Sequence, residues 1–155
     1  MMVEMGDADG IIGGISRDYP EFLKPCLATI GMSEDAHRVV GTYMMTIKGQ
    51  LMFISDATIN IYPDARTLAE IAVQTARVAR RFGIEPRVAL LSFSNFGSSS
   101  QYRSERIEDS LEMAKELDPT LIIDGPMQAD TALVPSIQEQ YPFMTLGGPA
   151  NVLIC

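Results

Sequence analysis

Cysteine is scarce in this 155-residue chain, with Cys26 and Cys155 its whole supply, which excludes a disulfide-stapled secreted scaffold. Histidine is scarcer: His37 is the single one, in a polar stretch, so a histidine-built metal centre has too few ligands. No apolar run approaches the roughly 20 residues that a membrane-spanning helix needs. The opening MMVEMGDADG lacks the basic stretch followed by an apolar one that marks a secretory signal. Basic residues are also outnumbered, twelve against twenty acidic, for a net charge of −8. That balance argues against a nucleic-acid or anionic-membrane surface. These absences together describe a soluble protein in a reducing, cytoplasmic setting.

What is present is ordinary globular composition, 46% hydrophobic and 21% charged, in a length that suits one domain with a real core. Solid or alternating apolar runs take turns with stretches of 3.6-residue period, the pattern of α/β architecture. Ala8–Gly14 reads as a first strand. Asp18 or Tyr19 then caps a helix with Pro20 in its first position, running Glu21–Ile30 and closed by Gly31. Val39–Ile47 and Leu51–Ser55, joined across Lys48-Gly49-Gln50, read as a hairpin.

Asp64 caps the clearest helix, which runs to Phe82 with Leu68, Ile71, Ala72, Thr75, Val78, Ala79 and Phe82 on one face. Arg77, Arg80 and Arg81 near its C-terminus read as a solvated face. Val88–Leu91 is expected to be a strand buried on both faces. A Ser/Gly loop from Ser92 to Ser100 leads to a helix over 102–117, and Leu121–Gly125 forms another buried strand. Residues 129–140 are expected to be helical, with Pro135 in the first turns or splitting them, and Asn151–Cys155 forms a last strand. That strand pattern stops mid-run, so the chain reads as a piece excised from a longer protein. The fold expected is a three-layer α/β sandwich over residues 1–155, with a largely parallel sheet plus one hairpin. Ligands in such sheets bind beyond the carboxyl ends of strands, here after Gly14, Leu91 and Ile123.

Ser92–Ser100 packs hydroxyls and small residues between a buried strand and a helix N-terminus. It is either an anion site or a loop that caps its helix. It lacks the Gly-Lys-Ser/Thr ending of a Walker loop. Asp124 and Asp130 are a candidate metal or acid–base pair, but read better as caps of a turn and a helix. Lys24 could meet a phosphate, although simple solvation is the plainer reading. Asp56 and Asn60 either form a turn or line the cleft. The ten methionines read as core filler.

Several segments together resemble the phosphotransacetylase family, the phosphate acetyl/butyryl transferases. They are Asp7-Ala8-Asp9-Gly10, Leu23-Lys24-Pro25, Phe53–Asp56 through Asn60, Gly83–Ser92, Asp124-Gly125 and Gly148–Val152, in family order. Within the family, Ser94-Asn95-Phe96-Gly97-Ser98 is similar to the form fused behind the catalytic domains of large NADP-dependent malic enzymes. The resemblance implies the middle subdomain of a two-subdomain fold, with the flanking outer-subdomain segments missing. It implies an acetyl-CoA or phosphate site drawn from Lys24, Ser92, Ser94, Asn95, Ser98 and Asp124. It implies no catalytic residue here, because the family's serine–arginine pair and thiol-deprotonating aspartate lie beyond Cys155.

Two departures stand out. Lys24 occupies the arginine position of the family's Leu-Arg-Pro motif and loses the planar fork that grips phosphate. Asp124-Gly125-Pro126 replaces Asp-Gly-Glu and deletes a carboxylate. The reading implied is a regulatory, acetyl-CoA-binding domain of an NADP-dependent malic enzyme; the alternative is part of a working phosphate acetyltransferase. In either case this stretch alone is expected to be catalytically silent and to belong to a homo-oligomer. NADP and a divalent metal are expected only in the parent's catalytic domains.

Overall fold

The computed structural model describes residues 1–33, 36–96 and 101–155, the last stretch with side chains from residue 105 onward. They fall into two units, Met1–Val39 and Val40–Cys155. The first holds helix α1 (Tyr19–Thr29), with Asp18 as an extended N-cap and Pro20 in the first turn, where a missing N–H leaves no hydrogen bond unmade. Pro25 lies inside this helix, and the Thr29 hydroxyl donates to the Pro25 carbonyl at 2.8 Å. Residues 8–14 are not the expected strand. Gly10, Gly13 and Gly14 supply no side chains to pack and lose the most entropy when fixed. Ile11 and Ile12 are exposed, and among the described residues this segment has no ladder partner. An apolar pattern makes a strand only where another strand accepts its hydrogen bonds.

The second unit is built on a five-stranded sheet of β1 (Thr42–Ile47), β2 (Gln50–Ser55), β3 (Arg87–Leu91), β4 (Ile122–Met127) and β5 (Val152–Ile154), in the order β1-β2-β5-β3-β4. The hairpin pairs Ile47 with Gln50 and Thr42 with Ser55. Its two turn residues, Lys48 and Gly49, both have positive φ, 51° and 79°. That is the type I′ geometry whose twist matches the strands it joins. The remaining neighbours are parallel.

Register explains the solid apolar runs. Phe53, Val152, Val88 and Ile123 lie side by side across the sheet and face helices α2 (Ala65–Arg81) and α3 (Gln101–Leu117) in one core. One residue on, Ile54, Leu153 and Ala89 face a second core with α4 (Ala129–Leu133). Both sheet faces are covered, so the sequence shows runs rather than alternation. The three layers expected from the sequence are present.

α2 begins as anticipated, the Asp64 carboxylate accepting from the Thr67 N–H at 2.7 Å. Its apolar face is buried except that Val78 is partly buried and Phe82, the C-cap, is half exposed while its ring lies 5.9 Å from that of Phe53. Arg80 does not belong to a merely solvated face. Its guanidinium reaches Asp118 at 2.6 Å and Thr120 at 3.4 Å, fastening the end of α2 to the end of α3. Burial pushes the Asp118 carboxyl up, but Arg80 and Thr120 outweigh it and hold it below the usual carboxylate range.

At the amino ends of β3 and β5, Asn151 accepts from the Arg87 N–H at 2.8 Å and donates to the Glu85 carbonyl at 2.9 Å. Arg87 Nε donates to the Pro149 carbonyl at 2.7 Å. Two of the segments that carry the family resemblance thus fasten each other, on the edge of the sheet opposite the strands' carboxyl ends.

Strand β4 runs past the expected end. Ala89 faces Asp124 but Leu91 faces Met127, so β4 holds one extra residue, a bulge at Gly125-Pro126. β4 is the last strand of the sheet, and an edge bulge is where proline, lacking a donor, is tolerated. The Gly125–Pro126 peptide is cis, as is Ser55–Asp56. Residues 129–140 do not form one helix: α4 stops at Leu133 and α5 (Pro135–Gln138) follows. Val134 is forced extended by the proline after it.

Within α4 the Thr131 hydroxyl is fully buried and, among the described residues, has no hydrogen-bond partner. Thr131→Val removes an unpaired polar atom at nearly constant shape. It is expected to leave stability unchanged or raise it by about 1 kcal/mol, read as an equal or higher melting temperature. No helix is long and apolar enough to cross a membrane, among the described residues.

Candidate functional site

Because β2, β5, β3 and β4 run parallel, their carboxyl ends share one edge, the edge where open α/β sheets receive ligands. A cleft of about 860 Å³ opens there. Leu91, Ser92 and Phe93 form its floor at the end of β3, and Cys155 joins them from the end of β5. Residues 61–65, leading into α2, make one wall; Glu105, Arg106 and Asp109 of α3 make another, and Ala129 of α4 closes a third side. Arg106 donates to the Pro63 carbonyl at 3.0 Å, tying two walls together.

Asp56, directly after β2, is a turn former. It is 5% exposed and accepts from the N–H groups of Thr58 at 3.1 Å, Ile59 at 2.9 Å and Asn60 at 3.3 Å. The Asn60 amide adds a contact at 2.6 Å. Burial by itself pushes this carboxyl up. The N–H groups of Ile59 and Thr58, the Asn60 side chain and the Gly41 N–H outweigh burial and hold it below the usual range. Of the two open readings of Asp56 and Asn60, the loop-forming one describes both: they shape the segment that leads to the cleft wall.

The loop after β3 is fastened across the sheet edge. Ser92 N–H donates to the Met127 carbonyl at 2.8 Å and Phe96 N–H to the Pro126 carbonyl at 2.7 Å. Asn95 accepts from the Gln128 N–H at 2.7 Å, while its amide donates to Gln128 Oε1 and to the Tyr141 hydroxyl, each at 3.3 Å. Gln128 Nε2 returns a bond to the Phe93 carbonyl at 2.8 Å. Phe96, held at a positive φ of 44°, packs its ring tilted against Tyr141 and edge-to-face against Phe143, centroids 5.1 and 4.8 Å away. Gln128, Tyr141 and Phe143 were not singled out from the sequence. Gln128 lies between β4 and α4, and Tyr141 and Phe143 follow α5, in segments where no periodicity marks a side chain as a partner.

Asn95→Ala removes this bridge and leaves the Gln128 N–H short of its acceptor. It is expected to cost about 1–2 kcal/mol and to speed amide exchange at Phe96 and Gln128 more than in β3.

Of the candidate ligand-binding residues, Ser92 lines the cleft. Ser94 is buried in the same loop, and Asn95 serves the latch just described. Ser98 lies outside the described residues. Lys24 is an exposed residue of α1, in the first unit. Asp124 is not at a strand end. It sits within β4, on the face turned away from α2 and α3, and accepts from the Thr145 N–H at 2.6 Å, the Thr145 hydroxyl at 3.0 Å and the Gly125 N–H at 2.8 Å. Asp130 accepts from the Thr131 N–H at 2.7 Å in the first turn of α4. The capping reading does not hold as expected: the N-cap of α4 is Gln128 rather than Asp130, and Asp124 is held chiefly by Thr145, 21 residues on.

A family model described as phosphate acetyl/butaryl transferase matches residues 1–155. The phosphate acetyltransferase of Bacillus subtilis (strain 168) is 39% identical over 155 residues, covering 99% of this chain and 48% of that protein. The NADP-dependent malic enzyme of Escherichia coli (strain K12) is 41% identical over 155 residues, covering 99% of this chain and 20% of that protein. A crystal structure of a phosphotransacetylase from Streptococcus pyogenes superposes with a TM-score of 0.85 at 34% identity, over 99% of this chain and 47% of that one. The chain therefore spans about half the length of the first relative and a fifth of the second. With residues 1–155 matched and the sheet shared with a solved phosphotransacetylase, the chain belongs to the phosphate acetyl/butaryl transferase family.

Proposed function

We propose that this chain is the part of a phosphotransacetylase-like domain that binds acetyl-CoA in the cleft at the strands' carboxyl edge. In this reading it lies within a longer cytoplasmic protein of the NADP-dependent malic enzyme kind. Binding regulates that protein rather than transferring the acetyl group. The observation that carries the reading is the use to which the Asp56 and Asp124 carboxylates are put. Asp56 and Asp124, the aspartates at the ends of two family-like segments, both spend their oxygens on loop N–H groups. Their pattern is that of a scaffold that shapes a binding site. Lys24 and Pro126, in place of the family's arginine and glutamate, favour the same reading. NADP and a divalent cation would then belong to malate-oxidising domains outside this chain, and the protein would assemble as a homo-oligomer.

The second reading, a part of a working phosphate acetyltransferase, is favoured by the match to the Bacillus subtilis enzyme over 99% of the chain. Calorimetric titration of acetyl-CoA into the full-length protein separates the two, with malate-dependent NADP reduction and release of free CoA thiol followed in parallel. Binding that alters the malate rate without phosphate-dependent thiol release supports regulation. Phosphate-dependent thiol release establishes transfer instead, and no binding heat overturns both.

A further inference from the structure

We infer that strand β1, at the open edge of the sheet, pairs with β1 of a second copy of this chain, antiparallel about a two-fold axis at Met44. This pairing is independent of the acetyl-CoA reading above.

The hairpin register fixes where the backbone groups of β1 point. Ile47 and Gln50 flank the two-residue turn as its hydrogen-bonded pair, and bonded and non-bonded pairs alternate from there. Tyr43, Met45 and Ile47 therefore bond to β2, while Thr42, Met44 and Thr46 turn their N–H and C=O groups outward. The residues opposite behave accordingly. Phe53, across from Met44, gives its N–H to the Asn151 carbonyl, and Ser55, across from Thr42, takes the Cys155 N–H on its carbonyl. Both face β5 rather than β1. Among the described residues β1 has no ladder partner on its outer side.

Exposed edges are usually blunted by charge, proline or a bulge. The other edge strand, β4, has a bulge and Pro126. β1 has none of these: Thr42–Ile47 is uncharged and its register with β2 is unbroken. Its apolar side chains stand in water, Tyr43 49%, Met44 51%, Met45 37% and Ile47 44% exposed. The order of the residues selects a second copy as the occupant. A two-fold at Met44 sets Thr42 of one copy opposite Thr46 of the other, Met44 opposite Met44, and Tyr43 opposite Met45. Hydroxyl then meets hydroxyl, ring meets thioether, and no like charges are opposed. Shifting by two residues, the next register that joins outward groups, brings in Lys48 of the turn or Val40 before the strand, and neither belongs to the ladder. Two such strands cover on the order of 1,000 Å² together, the lower limit of a specific interface, so the association is expected to vary with protein concentration.

The test is cross-linking and sedimentation equilibrium of the full-length protein. Positions 43 and 45 form a non-hydrogen-bonded pair across the axis, where Cβ atoms lie closest. Mildly oxidised Tyr43→Cys/Met45→Cys is therefore expected to give a covalent dimer above the wild-type level. Tyr43→Cys and Met45→Cys singly, with like positions only diagonal, are expected to give at least about fivefold less. Met44→Pro removes the central donor of the new ladder and no bond to β2. Added to the cysteine pair it is expected to abolish the cross-link, and alone to raise the dissociation constant at least about tenfold. Met44→Lys sets two ammonium groups face to face from an exposed position and repeats the test where Met44→Pro does not fold. No cross-link above wild type, or one indifferent to Met44→Lys, overturns the inference. Single variants that cross-link as readily as the pair overturn the register. Neither result bears on acetyl-CoA binding, which the calorimetric titration decides.

Discussion

Gly125→Ala is expected to be the most damaging small substitution in the protein, costing about 3 kcal/mol or more. Gly125 has φ +151°, and a Cβ built on it would lie 2.7 Å from the Leu90 carbonyl oxygen and 2.9 Å from Leu90 Cβ. The first contact is with backbone of the neighbouring strand, which has no rotamer by which to move aside. Relief requires β3 and β4 to part at the bulge that carries Phe96 N–H to the Pro126 carbonyl and Ser92 N–H to the Met127 carbonyl. The loss should therefore reach the latch of the cleft loop as well as the sheet. Gly147→Ala is the control. Its φ is also positive, +65°, but nothing lies within 4 Å of its Cβ, so backbone preference alone applies and the expected cost is about 1 kcal/mol. Denaturant midpoints of the two variants measured side by side check the difference. Equal losses would show that the contact with Leu90 is relieved without cost.

Asp56→Ala follows, with an expected loss of about 3 kcal/mol. It removes the acceptor for four backbone N–H groups, those of Gly41, Thr58, Ile59 and Asn60, and for an amide while leaving a buried void. Asp56→Asn keeps the shape and one acceptor oxygen, and should recover part of the loss. The pH dependence gives a second readout. The folded carboxyl titrates below its ordinary value, so its contribution is fully present above the unfolded aspartate range, near pH 4. It disappears as pH falls through the folded value. Wild-type stability should accordingly drop more steeply on acidification than that of Asp56→Ala, with Asp118 contributing a slope of the same sign in both. Parallel pH profiles would mean that the Asp56 bonds are not retained in solution.

How much of this was legible in the sequence depends on the range of the interaction that decides each feature. Asp64 as a cap, the apolar face of α2, the hairpin across Lys48-Gly49 and the break at Pro135 follow from neighbours a few residues apart. Those were open to a reading of spacing and residue type. The covering of the sheet on both sides followed from runs such as Val88–Leu91. Other features rest on partners distant along the chain. Arg80 meets Asp118, Asp124 meets Thr145, and Asn95 meets Gln128 and Tyr141. No local period announces such pairs. Residues 8–14 failed as a strand for a related reason, since a strand is defined by its partner.

By itself, then, the sequence determined the α/β class, most element positions and the family, because these follow from local propensity, hydrophobic pattern and short motifs in order. Only the tertiary structure decided what the polar residues do. The parallel register turns Asp124 toward Thr145 and away from the cleft, and the bulge at Gly125 brings the β3 loop onto Gln128. The assembled edge then sets Tyr62 and Phe93 in one cleft with the carboxylates of α3. A carboxylate's role depends on which N–H groups the fold places within 3 Å of it, and that is settled by register rather than by residue type.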